Sequence, residues 1–394
     1  MRGVAVTGMG LVSAIGNNIV EAHTSLKNGK EGISLPEILK TGLKDLPVGE
    51  IKLSNSDISN ILQLPDDHSY TRAALIGTLA IKELLSNSGF DNFPEDTGFI
   101  SGTSIGGIDK TEEHFHNYKD HPEYRKYIQA QHPGFTTEKI AEYFGLKEVV
   151  TTISTACSSS ANAIMMGARM IESGKLKRVI VGGSDCLTKF TLNGFNSLKI
   201  LSDQKSKPFD NDRNGLNLGE AAAYIMLEAR ELIGDKKILG RVSGFGNAND
   251  AFHQTASSEN GEGAYLAISQ AIKKAKLSAS EIDFINAHGT GTRNNDLSES
   301  VALKRIFGDT VPDFSSTKAF TGHTLGAAGA VEAIFSLLAI QNAEIYPNLN
   351  FNSEMAETGL VPVTEFQKKE IRTVLSNSFG FGGNCTSLIF QKDE

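Results

Sequence analysis

The sequence has no tryptophan and only three cysteines, Cys157, Cys186 and Cys385, in 394 residues. An odd, sparse count excludes a disulfide framework and fits a reducing compartment. With no CxxC and no close Cys/His cluster, no zinc site is predicted. His114 and His116 stand two apart, but in a charged stretch that reads as surface. Positive charge is also short: 38 Lys and Arg against 46 Asp and Glu leave a formal charge of −8. That excludes bulk attraction to nucleic acid or to an anionic membrane. No window reads as the run of about 18 apolar residues that a membrane helix needs. The apolar start, VAVTGMGLVSAIG from Val4, is too glycine-rich for a signal sequence and reads as a buried strand and loop. Together these absences predict a cytoplasmic protein.

What remains is rich in core-forming residues. At 40% hydrophobic and 21% charged, the chain can bury one large core or two fused ones. Strand-like runs (4–7, 98–101, 179–181, 223–227, 284–286, 313–315, 387–390) alternate with helix-like stretches (73–88, 160–173, 263–275, 296–307, 328–340). The mixture predicts an α/β protein whose sheets are covered by helices. Two stretches look like imperfect copies: DTGFISGTSIGGID at 96–109 and EIDFINAHGTGTRNND at 281–296. Each is a short strand entering a Gly/Thr/Ser loop. Each is followed by a polar turn opening a small-residue helix, at 154–170 and 315–340. A period of about 190 residues is too long for a solenoid and reads as a duplicated domain. The division falls near GDKKILG, separating halves 1–235 and 236–394.

Cys157 sits in Thr-Ala-Cys-Ser-Ser-Ser, between a β-branched run at 149–153 and a helical pattern. A cysteine at a helix N-terminus meets free N–H groups and the positive end of the dipole, which favour the thiolate. The alternative is a buried structural cysteine, which is how Cys186 and Cys385 read. His288 stands in Asn-Ala-His-Gly-Thr-Gly-Thr at a strand end, with Thr290 and Thr292 able to donate to a polar substrate arm. Lys318 and His323 share Ser-Thr-Lys-Ala-Phe-Thr-Gly-His, and Glu332 follows on an apolar helix, with Lys318 its nearest candidate partner. Near the C-terminus, Asn-Ser-Phe-Gly-Phe-Gly-Gly-Asn (377–384) offers free N–H groups for an oxyanion. Its Phe379 and Phe381 pack as core, or one gates the nucleophile. Gly8-Met9-Gly10 lacks the third glycine of a dinucleotide fingerprint.

In this order these motifs resemble the type I/II β-ketoacyl-[acyl carrier protein] synthases, including polyketide-type ketosynthases. The resemblance spans the chain, through GGSD (182–185) and KPFDNDRNGLNLGEAAA (207–223) to NSFGFGG. It implies a thiolase fold, two similar halves in a five-layered αβαβα body, and a decarboxylative Claisen condensation without cofactor or metal. It implies Cys157 as the acylated nucleophile, with His288 and His323 promoting decarboxylation of a malonyl thioester. Lys318 would hold the surroundings of the second histidine, paired with Glu332. The backbone N–H groups of Cys157 and Phe381 would form the oxyanion hole. Phe381 would also act as the gate, with Phe379 in support. Thr290 and Thr292 would contact the phosphopantetheine arm, and Ile105 would line the acyl tunnel. The implied partners are an acyl carrier protein and a second subunit, in a homodimer or in a heterodimer with a related ketosynthase-like chain. The type III branch carries Asn where this chain has His323, thiolases use a second catalytic cysteine, and silent partner subunits lack the first. Two departures touch carrier docking. The loop 201–210 is short, leaving Lys199, Lys205 and Lys207 as basic candidates, and the segment 66–74 keeps only Arg72.

Overall fold

The computed structural model describes residues 3–393. The N-terminal apolar run forms β1 (Val4–Ser13), a single strand through both glycines, buried on nearly every residue. Strands apolar at successive positions rather than alternate ones are covered on both faces. The same holds for β2 (Thr97–Gly102), β4 (Arg178–Asp185) and β5 (Ala221–Glu228). With β3 (Val150–Ile153), these pair in the order β3-β2-β4-β5-β1. The second half supplies β6 (Gly240–Asn249), β7 (Phe284–Asn286), β8 (Asp313–Ser315), β9 (Thr373–Phe379) and β10 (Asn384–Gln391). Their order is β8-β7-β9-β10-β6, the same arrangement shifted by five strands. The pairing directions match too: the β3/β2/β4 run and the β8/β7/β9 run are parallel, and the remaining neighbours antiparallel. The two half-sheets join where Val4, Ala5 and Val6 of β1 face Val242, Arg241 and Gly240 of β6.

Helices complete five layers. Helix α1 (Arg72–Asn87) covers the outer face of the first half-sheet. Helices α2 (Ser159–Glu172) and α6 (Ala328–Asn342) pack on each other between the half-sheets. Helices α4 (Glu262–Ala275) and α5 (Arg293–Phe307) cover the far side, and α3 (Lys189–Ser197) lies near the site. This is the α/β, five-layered αβαβα arrangement of a thiolase fold. Every residue of α6 from Ala328 to Ile340 is buried. Contrary to the expectation from sequence, the segment Leu325–Asn342 is long and apolar enough to cross a membrane, but 89% of it is buried inside the protein. A side chain at Gly329 would meet Ala161 of α2 at 2.7 Å, so glycine sets how closely the central helices cross.

Strand β6 was not anticipated. Its GRVSGFGNAN lacks a strand-like apolar pattern because α4 lies directly on it: a Cβ at Gly246 would stand 2.1 Å from the carbonyl of Ala267. Strand β9 likewise extends into the glycine-rich run that reads as loop, because Ser376–Phe379 is largely polar in sequence yet buried.

Candidate active site

Cys157 lies in the turn between β3 and α2. Ala156, just before it, holds φ at 53°, a conformation that costs a residue with a side chain about 1–3 kcal/mol. The residue lines a cavity of about 550 Å³, with only 6% of it exposed. Burial pushes the thiol up to about 11, against the N–H of Phe381, the charge of Lys318 and its own N–H, all of which favour the thiolate. The sequence-based expectation of a thiolate poised at a helix N-terminus is therefore corrected: desolvation outweighs the donors.

His288 leaves the end of β7, and His323 follows the short helix Lys318–Thr321. Their rings meet edge to face, 5.4 Å between centroids. His323 Nε2 is 3.1 Å from Cys157 Sγ, and one ligand atom from each of the three residues lies within 4.8 Å of the others. Each Nδ1 has its own donor. The Leu325 N–H points at His323 Nδ1 at 3.2 Å, and Lys318 Nζ stands 3.2 Å from His288 Nδ1. A nitrogen that accepts cannot carry the ring proton of a neutral imidazole, so each proton sits on Nε2. Burial, reinforced by Lys318, pushes both imidazoles well below their usual range and keeps them neutral. The site thus presents two neutral Nε2–H donors beside a thiol. The same three side chains could crowd a metal ion, but a metal needs bare Nε2 lone pairs, which this tautomer denies.

Lys318 binds the other histidine from the one anticipated. Its Nζ reaches the His288 carbonyl at 2.6 Å and His288 Nδ1, and pairs with the Glu332 carboxylate; His323 owes its tautomer to the backbone of Leu325 instead. Burial pushes Glu332 up to about 7, opposed by Lys318. Two further carboxylates went unnoticed in the sequence. Glu299 accepts from the N–H groups of His288 (2.9 Å) and Gly289 (2.8 Å), and burial pushes it up to about 7. Asp296 accepts from Thr290 (2.9 Å) and Gly291 (3.1 Å). One turn apart on α5, they clamp the whole histidine loop. Acidic residues spaced i, i+3 on the helix after that loop were the available signal.

Thr290 and Thr292 line the cavity, with hydroxyls 2.8 Å apart. Phe379 packs against His288, 5.7 Å between centroids, and Phe381 stacks on Phe195 of α3 at the cavity wall. Lys199 and Arg293 line the same cavity. Ile105 does not: Asp185 receives its N–H at 3.3 Å, and its side chain packs into the neighbouring apolar clusters. Arg72 is corrected from a docking candidate to a buried ion pair, its guanidinium forked onto Glu220 at 2.8 and 2.5 Å. Lys205 pairs with Glu31, and Lys207 lines a separate open pocket. His114 is stacked between Tyr124 and Tyr127 rather than standing free, while His116 is exposed. Cys186 and Cys385 are buried, and burial raises both thiols; Cys385 also borders the cavity.

Residues 1–232 match the beta-ketoacyl synthase N-terminal domain and residues 239–352 its C-terminal domain. The 3-oxoacyl-[acyl-carrier-protein] synthase 2 of Rhizobium meliloti is 34% identical over 100% of this chain and 99% of its own. Among solved structures, the ishigamide ketosynthase/chain length factor is 28% identical with a TM-score of 0.93, each chain covered to 100%. The ketosynthase ApeO in complex with its chain length factor ApeC, from Xenorhabdus doucetiae, is 32% identical with a TM-score of 0.87, covering 100% of this chain and 98% of that one. With the N-terminal and C-terminal domains of the beta-ketoacyl synthases matched in order, and a relative 34% identical along the full chain, the chain belongs to the beta-ketoacyl synthase family.

Proposed function

We propose that this chain condenses an acyl group held on Cys157 with a malonyl group borne by an acyl carrier protein, in fatty acid or polyketide assembly. The observation that carries this is the pair of neutral imidazoles that line the sulfur's cavity with their Nδ1 atoms already occupied, so that each keeps its proton on Nε2. The Cys157 sulfur attacks the carrier's acyl thioester. The new C–S bond forms as the old one breaks, and the thiol proton ends on the departing carrier thiol. Malonyl thioester then loses CO₂, and its electron pair becomes an enolate whose oxygen accepts from His288 and His323 Nε2–H. The enolate carbon attacks the acyl-Cys157 carbonyl. The resulting oxyanion accepts from the N–H groups of Cys157 and Phe381, then collapses, expelling Cys157 sulfur, which regains a proton from solvent. Because CO₂ loss supplies the carbanion, no strong base, metal or cofactor is called for. Each donor aimed at such an oxyanion contributes about 3 kcal/mol.

Thr290 and Thr292 suit the amide arm of phosphopantetheine, and Lys199 and Arg293 suit its phosphate. Phe381 serves as the gate. The halves 1–235 and 236–394 each supply part of the site: Cys157 from one, both histidines from the other. The working assembly is a dimer in the cytoplasm. A heterodimer with a silent relative is favoured by the likeness to ApeO, which is paired with a chain length factor. Purified protein incubated with acyl- and malonyl-carrier proteins is expected to yield β-ketoacyl carrier and CO₂, and Cys157→Ser to yield none. No product from wild type, or undiminished product from the variant, overturns the reading.

A further inference from the structure

The hairpin loop Gly380–Gly383 joins β9 to β10 and brings the Phe381 N–H to the Cys157 sulfur. The other oxyanion donor, the Cys157 N–H, belongs to the opposite half. A Cβ on Gly380 would stand 3.1 Å from the Cys157 nitrogen and 3.0 Å from the Thr155 carbonyl, so the loop rides directly on the turn. Something must hold these two pieces of chain in register, since they lie more than two hundred residues apart in sequence.

The first residue of β10 does so with one oxygen. Asn384 Oδ1 accepts from Ser158 Oγ at 2.7 Å, from Asn162 Nδ2 at 2.9 Å and from Asn247 Nδ2 at 2.9 Å. Ser158 Oγ also lies 2.7 Å from the Thr155 carbonyl, so its one proton is shared between that oxygen and Asn384 Oδ1, while the second N–H of Asn162 Nδ2 donates to the Thr155 hydroxyl at 2.9 Å. The Asn384 carbonyl accepts the Gly380 N–H at 2.9 Å, closing the hairpin. One carboxamide oxygen therefore gathers donors from the nucleophile turn, from α2 and from β6, while its own backbone fixes the loop that carries Phe381. We infer that Asn384 is a positioning residue that sets the separation of the two oxyanion donors. This inference rests on the condensing reaction proposed above.

The role separates from mere structural support because the reaction has two chemically distinct halves. Acyl transfer to Cys157 and condensation place an oxyanion between the Cys157 and Phe381 N–H groups. Malonyl decarboxylation places its enolate on the histidines, which the Asn384 network does not touch. The test measures both on one set of proteins: acylation of Cys157 by acyl-carrier protein, followed by rapid-quench mass spectrometry, and CO₂ release from malonyl-carrier protein. Misplacement of about 1 Å at a reacting centre costs roughly 100-fold. Asn384→Leu is accordingly expected to slow acylation about 10- to 100-fold and decarboxylation less than threefold. Asn384→Asp, which retains an acceptor oxygen, is expected to recover most of the acylation. Ser158→Ala, which removes one donor and leaves the hub in place, gives a smaller loss of the same kind and covers the case of an unstable leucine variant. Equal losses in both half-reactions, no loss in acylation, or an aspartate variant no better than leucine overturns the inference. A wild type that forms no product refutes the condensing reading itself, and this assignment with it.

Discussion

Replacing Lys318 by methionine is the sharpest perturbation of the site, because its ammonium is the donor that fixes His288. With the Nζ···Nδ1 contact of 3.2 Å gone, the His288 ring is free to carry its proton on Nδ1 and turn a bare Nε2 lone pair toward the enolate. Losing one enolate donor forfeits about 3 kcal/mol, a factor of 100 to 1000. An attractive contact replaced by lone-pair repulsion pushes toward the upper end. Stability responds separately. Lys318 is what opposes burial at Glu332, whose carboxyl already stands at about 7. Without it the carboxyl rises further and takes a proton at neutral pH, so the penalty stays at about 1–3 kcal/mol rather than that of an orphaned buried charge. A carboxyl raised in the folded state binds more protons folded than unfolded, so the variant loses stability as pH climbs from the ordinary carboxylate range toward its folded value. The assay is CO₂ release from malonyl-carrier protein at pH 7, with thermal melts at pH 6 and 8.5. We expect decarboxylation to fall at least 100-fold, and the melting deficit to be larger at pH 8.5. Decarboxylation within threefold of wild type, or a larger deficit at pH 6, refutes the tautomer argument.

The raised Cys157 thiol, at about 11, predicts that iodoacetamide inactivation of the free enzyme climbs about tenfold per pH unit from 7 to 10; a plateau near pH 8 contradicts the burial effect. Glu299, held at about 7 in the fold, contributes a loss of stability as pH rises from about 4.5 to 7, and Glu299→Gln should flatten that slope in urea titrations while lowering stability throughout, because the amide cannot accept from both the His288 and Gly289 N–H groups. An unchanged slope would place the titration elsewhere. Gly329→Ala should cost about 1–3 kcal/mol in a thermal melt by forcing α2 and α6 apart, and an unaltered melting temperature would mean the central helices are not packed this closely.

Much of the site was legible because its chemistry is concentrated in short motifs. Cys157, His288 and His323 each stand at a strand or helix end among small residues, and the structure does bring them together. The duplication was legible as well, since each half spells a strand, a glycine loop and a small-residue helix in the same order. What escaped depended on contacts between distant segments. Glu299 and Asp296 look like ordinary acids on a helix until the backbone N–H groups of the histidine loop are seen to point at them. Arg72 reads as surface charge until Glu220, far along the chain, is found beneath it. Local reasoning placed the Cys157 thiol at a helix start and weighed the dipole, but desolvation comes from the whole surround. Strand β6 was hidden because its glycines serve a neighbouring helix rather than a strand pattern.

The strand order also bears on how the chain is made. In the second half, β10 stands between β9 and β6, and β9 beside β7, yet β9 and β10 are synthesised after β6, β7 and β8. As the ribosome delivers residues up to α6, the strands β6, β7 and β8 are already out but lack the central pair that would join them, and the most apolar helix has one wall missing. A nascent chain in that state presents open strand edges and uncovered hydrophobic surface, the conditions under which chaperones bind and misassembly begins. Arrival of β9 and β10, not emergence of the catalytic motifs, is what closes the second half-sheet.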